Sequence, residues 1–537
     1  MKSKKKERTN YMKAKKRCLT MALAFFILCL WGCQTQAEKS TSEEPNLLFI
    51  ITDQQRYDAL SLAGNDILRT QNLDKLAKSG AYFTNAYTPC AVCAPARASF
   101  LTGRTVENHG IVNNDLANGT NALEAGVMQM PTFDEILSDR GYVCEYYGKW
   151  HSPEFHSKIY QNPKLVTSNG ESIFAHGGQG RLHRDYLDEH VSKGELKDGE
   201  LWDTMTRRPY RPDPLDHTLS DDREERGRLQ PDLHGELLIP KEHTNTAYFA
   251  KEVMAAIERR KDQKFSITAS FHFPHAPMLP VKPYYGMYPP ETIQPPVSIG
   301  DDMSDSPYRY ANGRNYMKQY ADPELIRYMI SNYYGLVTEM DDWIGQIVGK
   351  LEELGLRDNT LIIFTSDHGE MLGAHGMREK NVFYEESAHV PLMISFPGRV
   401  EENMQVSGYV SGLDLFQTVM DYLQVDSVQS DGTSLRGLIE GTDDKHGEYV
   451  VTEWDYRGDV ESNYMIVKDG WKMMIPYSVT STVPNALFNL KEDPYETNNL
   501  LASEYRDKSH LVKAEELRMS LLEWLAKNGS SHLDGVR

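Results

Sequence analysis

A thiol set among small residues is the first place in this chain where chemistry can start. In Ala91-Val92-Cys93-Ala94-Pro95-Ala96-Arg97-Ala98-Ser99-Phe100-Leu101-Thr102-Gly103, a proline stands two positions after Cys93 and an arginine four positions after it. Pro95 fixes its own φ and has no N–H to donate, which favours a turn at the cysteine. Residues 96–101 read as a helix stopped by Gly103. A nucleophile at a helix mouth meets free amides and the positive end of the macrodipole, so it suits reactions of anions. Polar residues also follow four apolar runs: Asp53-Gln54, Lys149-Trp150-His151, His272 with His275, and Asp367-His368. Groups at the carboxyl ends of strands in an α/β sheet are placed where ligands bind.

Those runs are the elements that must hold the polar groups. Residues 46–52, 81–87, 265–271, 359–366 and 390–396, with a strand ending at Gly148, read as strands, most of them continuously apolar as in a buried parallel sheet. Residues 72–80, 246–261, 323–354 and 412–423 read as helices, and residues 130–137 as a helix with Pro131 in its first turn. The helix over 323–354 carries Ile326, Met329, Ile330, Tyr333, Leu336, Val337, Met340, Ile344 and Ile347 on helical spacing. From Tyr449 the pattern changes to short alternating strands, with 464–467 and 471–475 turning at Asp469-Gly470, then a closing helix over 511–525. Residues 152–240 show little periodicity and read as long loops over the active face. Their Arg181, His183, Arg184, Arg207, Arg208 and Arg211 are candidates for binding anionic groups, the plainer reading being solvated loop charge.

The Cys93 stretch resembles the signature of the type I sulfatases, C-x-P-S/A-R followed by L-T-G, and meets every position of it. Gly141-Tyr142 through Gly148-Lys149-Trp150-His151 resembles that family's second motif, with Cys144 where Thr is usual and Tyr147 where a small residue is usual. Pro274-His275-Ala276-Pro277 matches its P-H-x-P motif; on spacing alone His272 competes with His275. Leu487 through Leu500 resembles its near-terminal L-Y-D-L-x-x-D-P-x-E-x-x-N-L, so the likeness spans roughly residues 45–527.

The resemblance implies an α/β, alkaline-phosphatase-like sandwich. A large mixed, mostly parallel sheet is flanked by helices, and a smaller C-terminal α+β subdomain carries an antiparallel sheet. It divides the chain into a catalytic domain over 46–430 and a C-terminal subdomain over 431–537. It implies a sulfuric ester hydrolase in which Cys93 is converted by a sulfatase-maturating enzyme to formylglycine (3-oxoalanine). Asp53, Gln54, Asp367 and His368 would then hold a divalent cation together with the modified Cys93. Three oxygen-bearing ligands and one imidazole suit Ca2+, with Mg2+ the alternative. Arg97, Lys149 and Lys380 would grip the sulfate, His275 with Lys380 protonate the leaving oxygen, and His151 take a proton from the nucleophile's second hydroxyl. A sulfated carbohydrate, such as a glycosaminoglycan or algal glycan fragment, is the expected substrate. The rivals are a phosphodiesterase or phosphonate monoester hydrolase of the same superfamily, and a non-catalytic lipoprotein that binds sulfated glycan.

Composition narrows the setting. The net charge is −19 over 537 residues, and residues 1–32 carry nine Lys or Arg against one Glu, so the remainder is near −27. So acidic a surface argues against nucleic acid. Residues 1–32 read as a lipoprotein-type signal peptide: a basic n-region, a short apolar h-region over 21–30, and Leu30-Trp31-Gly32-Cys33, which resembles a lipobox. The h-region is shorter than the ~20 apolar residues of a membrane span. Residues 33–45 would be a tether, and the protein would be exported to the periplasm, outer membrane or cell surface, touching membrane only through its lipid. Beyond the lipobox Cys33 only Cys90, Cys93 and Cys144 remain, too few for a disulfide framework, though a Cys90–Cys144 bond stays open.

Overall fold

All eight residues of the strand Asn46–Asp53 are buried, as in a central parallel strand covered by helices on both faces. The computed structural model describes residues 44–114, 130–151, 178–197, 208–215, 233–308, 318–426, 428–443, 446–454, 463–476, 481, 483–502 and 507–536. The expected leader, and all but the end of the tether, lie outside them. No helix among the described residues is long and apolar enough to cross a membrane.

The strands are β1 Asn46–Asp53, β2 Ala81–Tyr87, β3 Val143–Gly148, β4 Tyr210–Pro212, β5 Gly235–Leu237, β6 Phe265–Pro274, β7 Thr360–Ser366, β8 Leu392–Ser395, β9 Met404–Ser411, β10 Tyr449–Glu453, β11 Tyr464–Lys468, β12 Trp471–Ile475 and β13 Ala486–Asn489. Among the described residues, the helices of seven or more residues are α1 Gln71–Lys78, α2 Cys93–Thr102, α3 Phe133–Asp139, α4 Gly178–Ser192, α5 Asn245–Arg260, α6 Pro323–Glu353, α7 Asp414–Tyr422 and α8 Lys508–Lys527.

The large sheet runs β3-β6-β1-β7-β8-β2-β9. Its first four strands are mutually parallel; β8 lies antiparallel to β7 and β2, and β9 is parallel to β2. Side chains of β1 alternate between faces. Leu48 and Ile50 join α1, α5 and α6 in one core, while Leu47, Phe49 and Ile51 join α2, α3 and α7 in the other. Registry pairs Thr52 with Ser366, Asp53 with Pro274 and Gly148 with Ser270, so four neighbouring carboxyl ends share one edge. With strands ~4.8 Å apart, that edge is only about 15 Å wide.

The second sheet, β10-β11-β12-β13, is antiparallel throughout. Asp469 (φ 54°) and Gly470 (φ 80°) both take the left-handed conformation of a tight hairpin turn. One face packs Ile466, Met473 and Leu487 against Leu517, Leu521 and Leu525 of α8. The other packs Met465, Met474 and Phe488 against Phe383, Tyr384 and Ala91. From this sheet the fully buried Lys472 reaches Glu385 at 2.7 Å, Glu496 at 2.9 Å and the Phe383 carbonyl at 2.9 Å.

Three expectations need correction. Pro131 lies before its helix: Thr132 is the cap, its hydroxyl accepting from the Glu135 amide, and α3 begins at Phe133. The 152–240 stretch is not all loop. It holds α4 and the β4–β5 ribbon, which bury Leu187, Tyr210 and Leu237 together with Leu279 and Val281. Pro95 does not turn the chain; it sits in the first turn of α2, where its missing N–H costs nothing. Cys90, Cys93 and Cys144 are all free, buried thiols.

Candidate active site

Most of the polar groups stand at or just beyond the end of a strand. Asp53 ends β1 and Gln54 turns away with φ 71°. Gly148 ends β3 with φ 97°, so close to β6 that a Cβ there would lie 1.7 Å from the Ser270 carbonyl; only glycine allows this approach. Lys149 follows, its amide donating to the same carbonyl at 2.8 Å. His275 follows β6 and Asp367 follows β7, the Asp367 amide donating to the Thr52 carbonyl at 3.2 Å. Cys93 opens α2, all ten of whose residues are buried.

The groups converge. Ligand atoms of Asp53, Cys93, Asp367 and His368 all lie within 4.8 Å of one another, and all four residues are buried. Cys93 Sγ is 3.0 Å from His368 Nε2 and 3.9 Å from Asp53 Oδ1; His368 Nε2 is 3.6 Å from one oxygen of each carboxylate. Lys149 donates to Asp53. Arg97 donates to Asp367 at 2.7 Å through Nε, and to the Lys149 carbonyl and Ser270 Oγ through Nη1. Its buried Nη2 has no partner among the described residues. Lys380 Nζ donates to Gln54 Oε1 at 2.7 Å and lies 3.1 Å from His275 Nε2. His151 hydrogen-bonds Cys93.

Burial and these charges set the protonation. Burial pushes Asp53 up, but Lys149, His275, Arg97 and His368 outweigh it and hold the carboxyl well below its usual range. Burial and the Asp53 charge keep Asp367 raised. Burial also opposes ionisation of Cys93, yet Lys149, Lys380 and His368 bring the thiol well below its ordinary value. Burial and Lys380 hold His275 well below the usual imidazole range, and burial and Lys149 lower His151. Burial brings His272 down to about 4. The donor set fits a divalent cation. Two buried carboxylates and an imidazole face one point, and the repulsion that raises Asp367 is what a cation between the carboxylates removes.

All ten residues expected from the sequence thus meet at one sheet edge. The structure adds Glu370, which accepts from Gln54 Nε2, and Asn114, whose Oδ1 accepts from the Ala94 amide at 2.9 Å and whose Nδ2 is 3.9 Å from Cys93 Sγ. Glu370 is visible in Asp367-His368-Gly369-Glu370, but nothing in that run marks its partner. Three of the six loop residues are engaged elsewhere: Arg208 pairs with Asp188, Arg211 with Glu236 at 2.8 Å, and His183 with the His243 carbonyl at 2.7 Å; Arg184 lies on α4. Arg207 and the side chain of Arg181 lie outside the described residues.

A family model described as Sulfatase matches residues 45–425. The chain belongs to the sulfatase family. A second model, N-sulphoglucosamine sulphohydrolase, C-terminal, matches residues 373–524 of this sulfatase. An arylsulfatase of Clostridium perfringens is 28% identical to it over 501 residues, covering 92% of this chain and 96% of that one. An N-acetylglucosamine-6-O-sulfatase of Bacteroides thetaiotaomicron is 26% identical, with 94% and 90% covered. Among solved structures, the phosphonate monoester hydrolase of Agrobacterium radiobacter aligns with TM-score 0.70 at 23% identity, over 90% of this chain and 96% of that one. The sulfatase has the alkaline-phosphatase-like fold and is a sulfuric ester hydrolase.

Proposed function

We propose that this sulfatase removes sulfate from a carbohydrate ester, using Cys93 matured to formylglycine beside a Ca2+ ion, with Mg2+ as the alternative. The observation that carries the reading is the meeting of Cys93 with Asp53, Asp367 and His368 under the ammonium groups of Lys149 and Lys380. Asp53, Asp367, His368 and the Gln54 amide oxygen would hold the cation, which would polarise sulfate oxygens and favour ionisation of the attacking hydroxyl. The hydrated aldehyde would supply that hydroxyl and a second one whose deprotonation releases sulfate.

The chain's own groups then have separate tasks. Lys149 and Lys380 present fixed positive charge to the sulfate oxygens, and Arg97 keeps Asp367 and Lys149 in place. The departing sugar oxygen would take its proton from the Lys380–His275 pair, whose Nζ and Nε2 lie 3.1 Å apart. His151, kept neutral by burial and Lys149, accepts the proton of the second hydroxyl. The likeness to an N-acetylglucosamine-6-O-sulfatase supports a sulfated sugar as substrate. Export, an N-terminal lipid anchor and dependence on a maturating enzyme belong to the same reading.

A panel of sulfated mono- and disaccharides, run beside phosphate and phosphonate monoesters, tests it. Desulfation of at least one sugar at a kcat/KM above that for every phosphorus ester is expected. Faster phosphonate cleavage would overturn the reading in favour of the rival hydrolase. Mass spectrometry of the active protein should show formylglycine at 93; full activity with an intact thiol would remove the aldehyde.

A further inference from the structure

We infer that Glu370 is a positioning residue that orients the side-chain amide of Gln54, so that its oxygen, not its nitrogen, faces the cation site; this rests on Gln54 as a ligand. Glu370 is 1% exposed, and its carboxylate meets only donors: Oε1 accepts from the Leu372 amide at 3.2 Å and from the Glu379 amide, and Oε2 accepts from Gln54 Nε2. With Oε1 taken by two backbone N–H groups, Oε2 is the atom that meets the amide, and against Nε2–H it can only accept. On the opposite side Lys380, which has only protons to give, meets Gln54 Oε1 at 2.7 Å. The amide is therefore fixed from both ends. A carboxylate in place of Gln54 would need no such selection, because its two oxygens are alike.

The backbone around Glu370 makes the inference sharp. In Glu370→Gln the two amides of Leu372 and Glu379 claim the new side-chain oxygen, which turns the new NH2 toward Gln54 Nε2. Two donors then face one another. Unflipped, Gln54 Nε2 faces the new NH2; flipped, it faces the Lys380 ammonium, so in either orientation two donors meet and the amide oxygen loses its fixed direction. Exchanging the two residues, as Gln54→Glu with Glu370→Gln, restores every pairing. The introduced amide accepts from the same two backbone N–H groups and donates to the introduced carboxylate, which offers an oxygen to the cation whichever way it turns.

Calorimetric titration of the full-length protein with Ca2+ alone, compared among wild type, E370Q and the Q54E/E370Q double variant, tests this. Affinity should fall about 10- to 100-fold in E370Q, the scale set by losing an outer-shell partner, and return to within about threefold of wild type in the double variant. Unchanged affinity in E370Q, or a double variant as weak as E370Q, would overturn the inference while leaving the cation site intact. If E370Q does not fold, the double variant decides alone by the same threefold criterion. Absence of Ca2+ binding in wild type would instead sink the cation reading, and this inference with it.

Discussion

If formylglycine at position 93 is the nucleophile as proposed, one oxygen atom separates a catalyst from a trap. A serine there would keep the hydroxyl that attacks sulfur but lack the second hydroxyl that expels sulfate. Cys93→Ser should therefore release leaving group once per enzyme and then stop, with steady-state turnover down by on the order of 10³-fold or more, as when a nucleophile is removed. Rapid-quench assays against limiting and excess enzyme read this directly. The ten candidate residues were legible through the resemblance of their motifs to those of the sulfatases; the apolar runs alone marked only that polar residues follow strands. Glu370 and Asn114 were not, because each acts through a hydrogen bond to a partner distant in sequence. Such a bond leaves no period or motif in the chain.

Among elements, the parallel quartet β3, β6, β1 and β7 sets the spacing on which the chemistry depends. Gly148→Ala puts a methyl group against the Ser270 carbonyl with φ at +97°. The left-handed conformation alone costs about 1–2 kcal/mol, and relieving the clash must push β3 from β6 and carry Lys149 off Asp53. Lower melting temperature together with a fall in kcat is expected; a variant with wild-type kcat would show that Lys149 tolerates the shift. The strands were readable because buried parallel strands are apolar without interruption. α4 escaped notice because among its described side chains only His183 and Leu187 are buried, and His183 is held by a hydrogen bond to the His243 carbonyl.

For the molecule as a whole, Lys472 carries charge from the small sheet to the turn that supports the site. Glu385 beside it accepts from Tyr87 and His389, and the next carbonyls, of Glu386 and Ser387, accept from the Glu370 and Gly369 amides. Lys472→Met would leave Glu385 and Glu496 buried without their cation, at a cost of about 3–5 kcal/mol, visible as a lower denaturation midpoint. Lys472→Arg should recover part of it. A second global signal is pH. Burial pushes Asp134 up to about 7, against a hydrogen bond from Ser266 Oγ at 2.8 Å. The folded state thus keeps a proton that the unfolded chain has already lost between pH ~4 and ~7. Stability falls as pH rises through that window, and the penalty is complete above it. Asp134→Asn should abolish this slope, so its advantage over wild type in thermal unfolding grows from pH 5 to pH 8, reaching a few kcal/mol. A pH-independent difference would mean that Asp134 shares its proton-binding behaviour in both states.

The adjacency of β1 and β7 has a consequence for how the chain is born. Gln54 and the Asp367 carboxylate it contacts are separated by 313 positions. At about 5–20 residues per second of synthesis, the first half of the pocket waits tens of seconds for the second. Through that interval a greasy strand without its neighbour must be kept from sticking to others, so yield in the cell should depend on holdase chaperones more than on the depth of the final energy well.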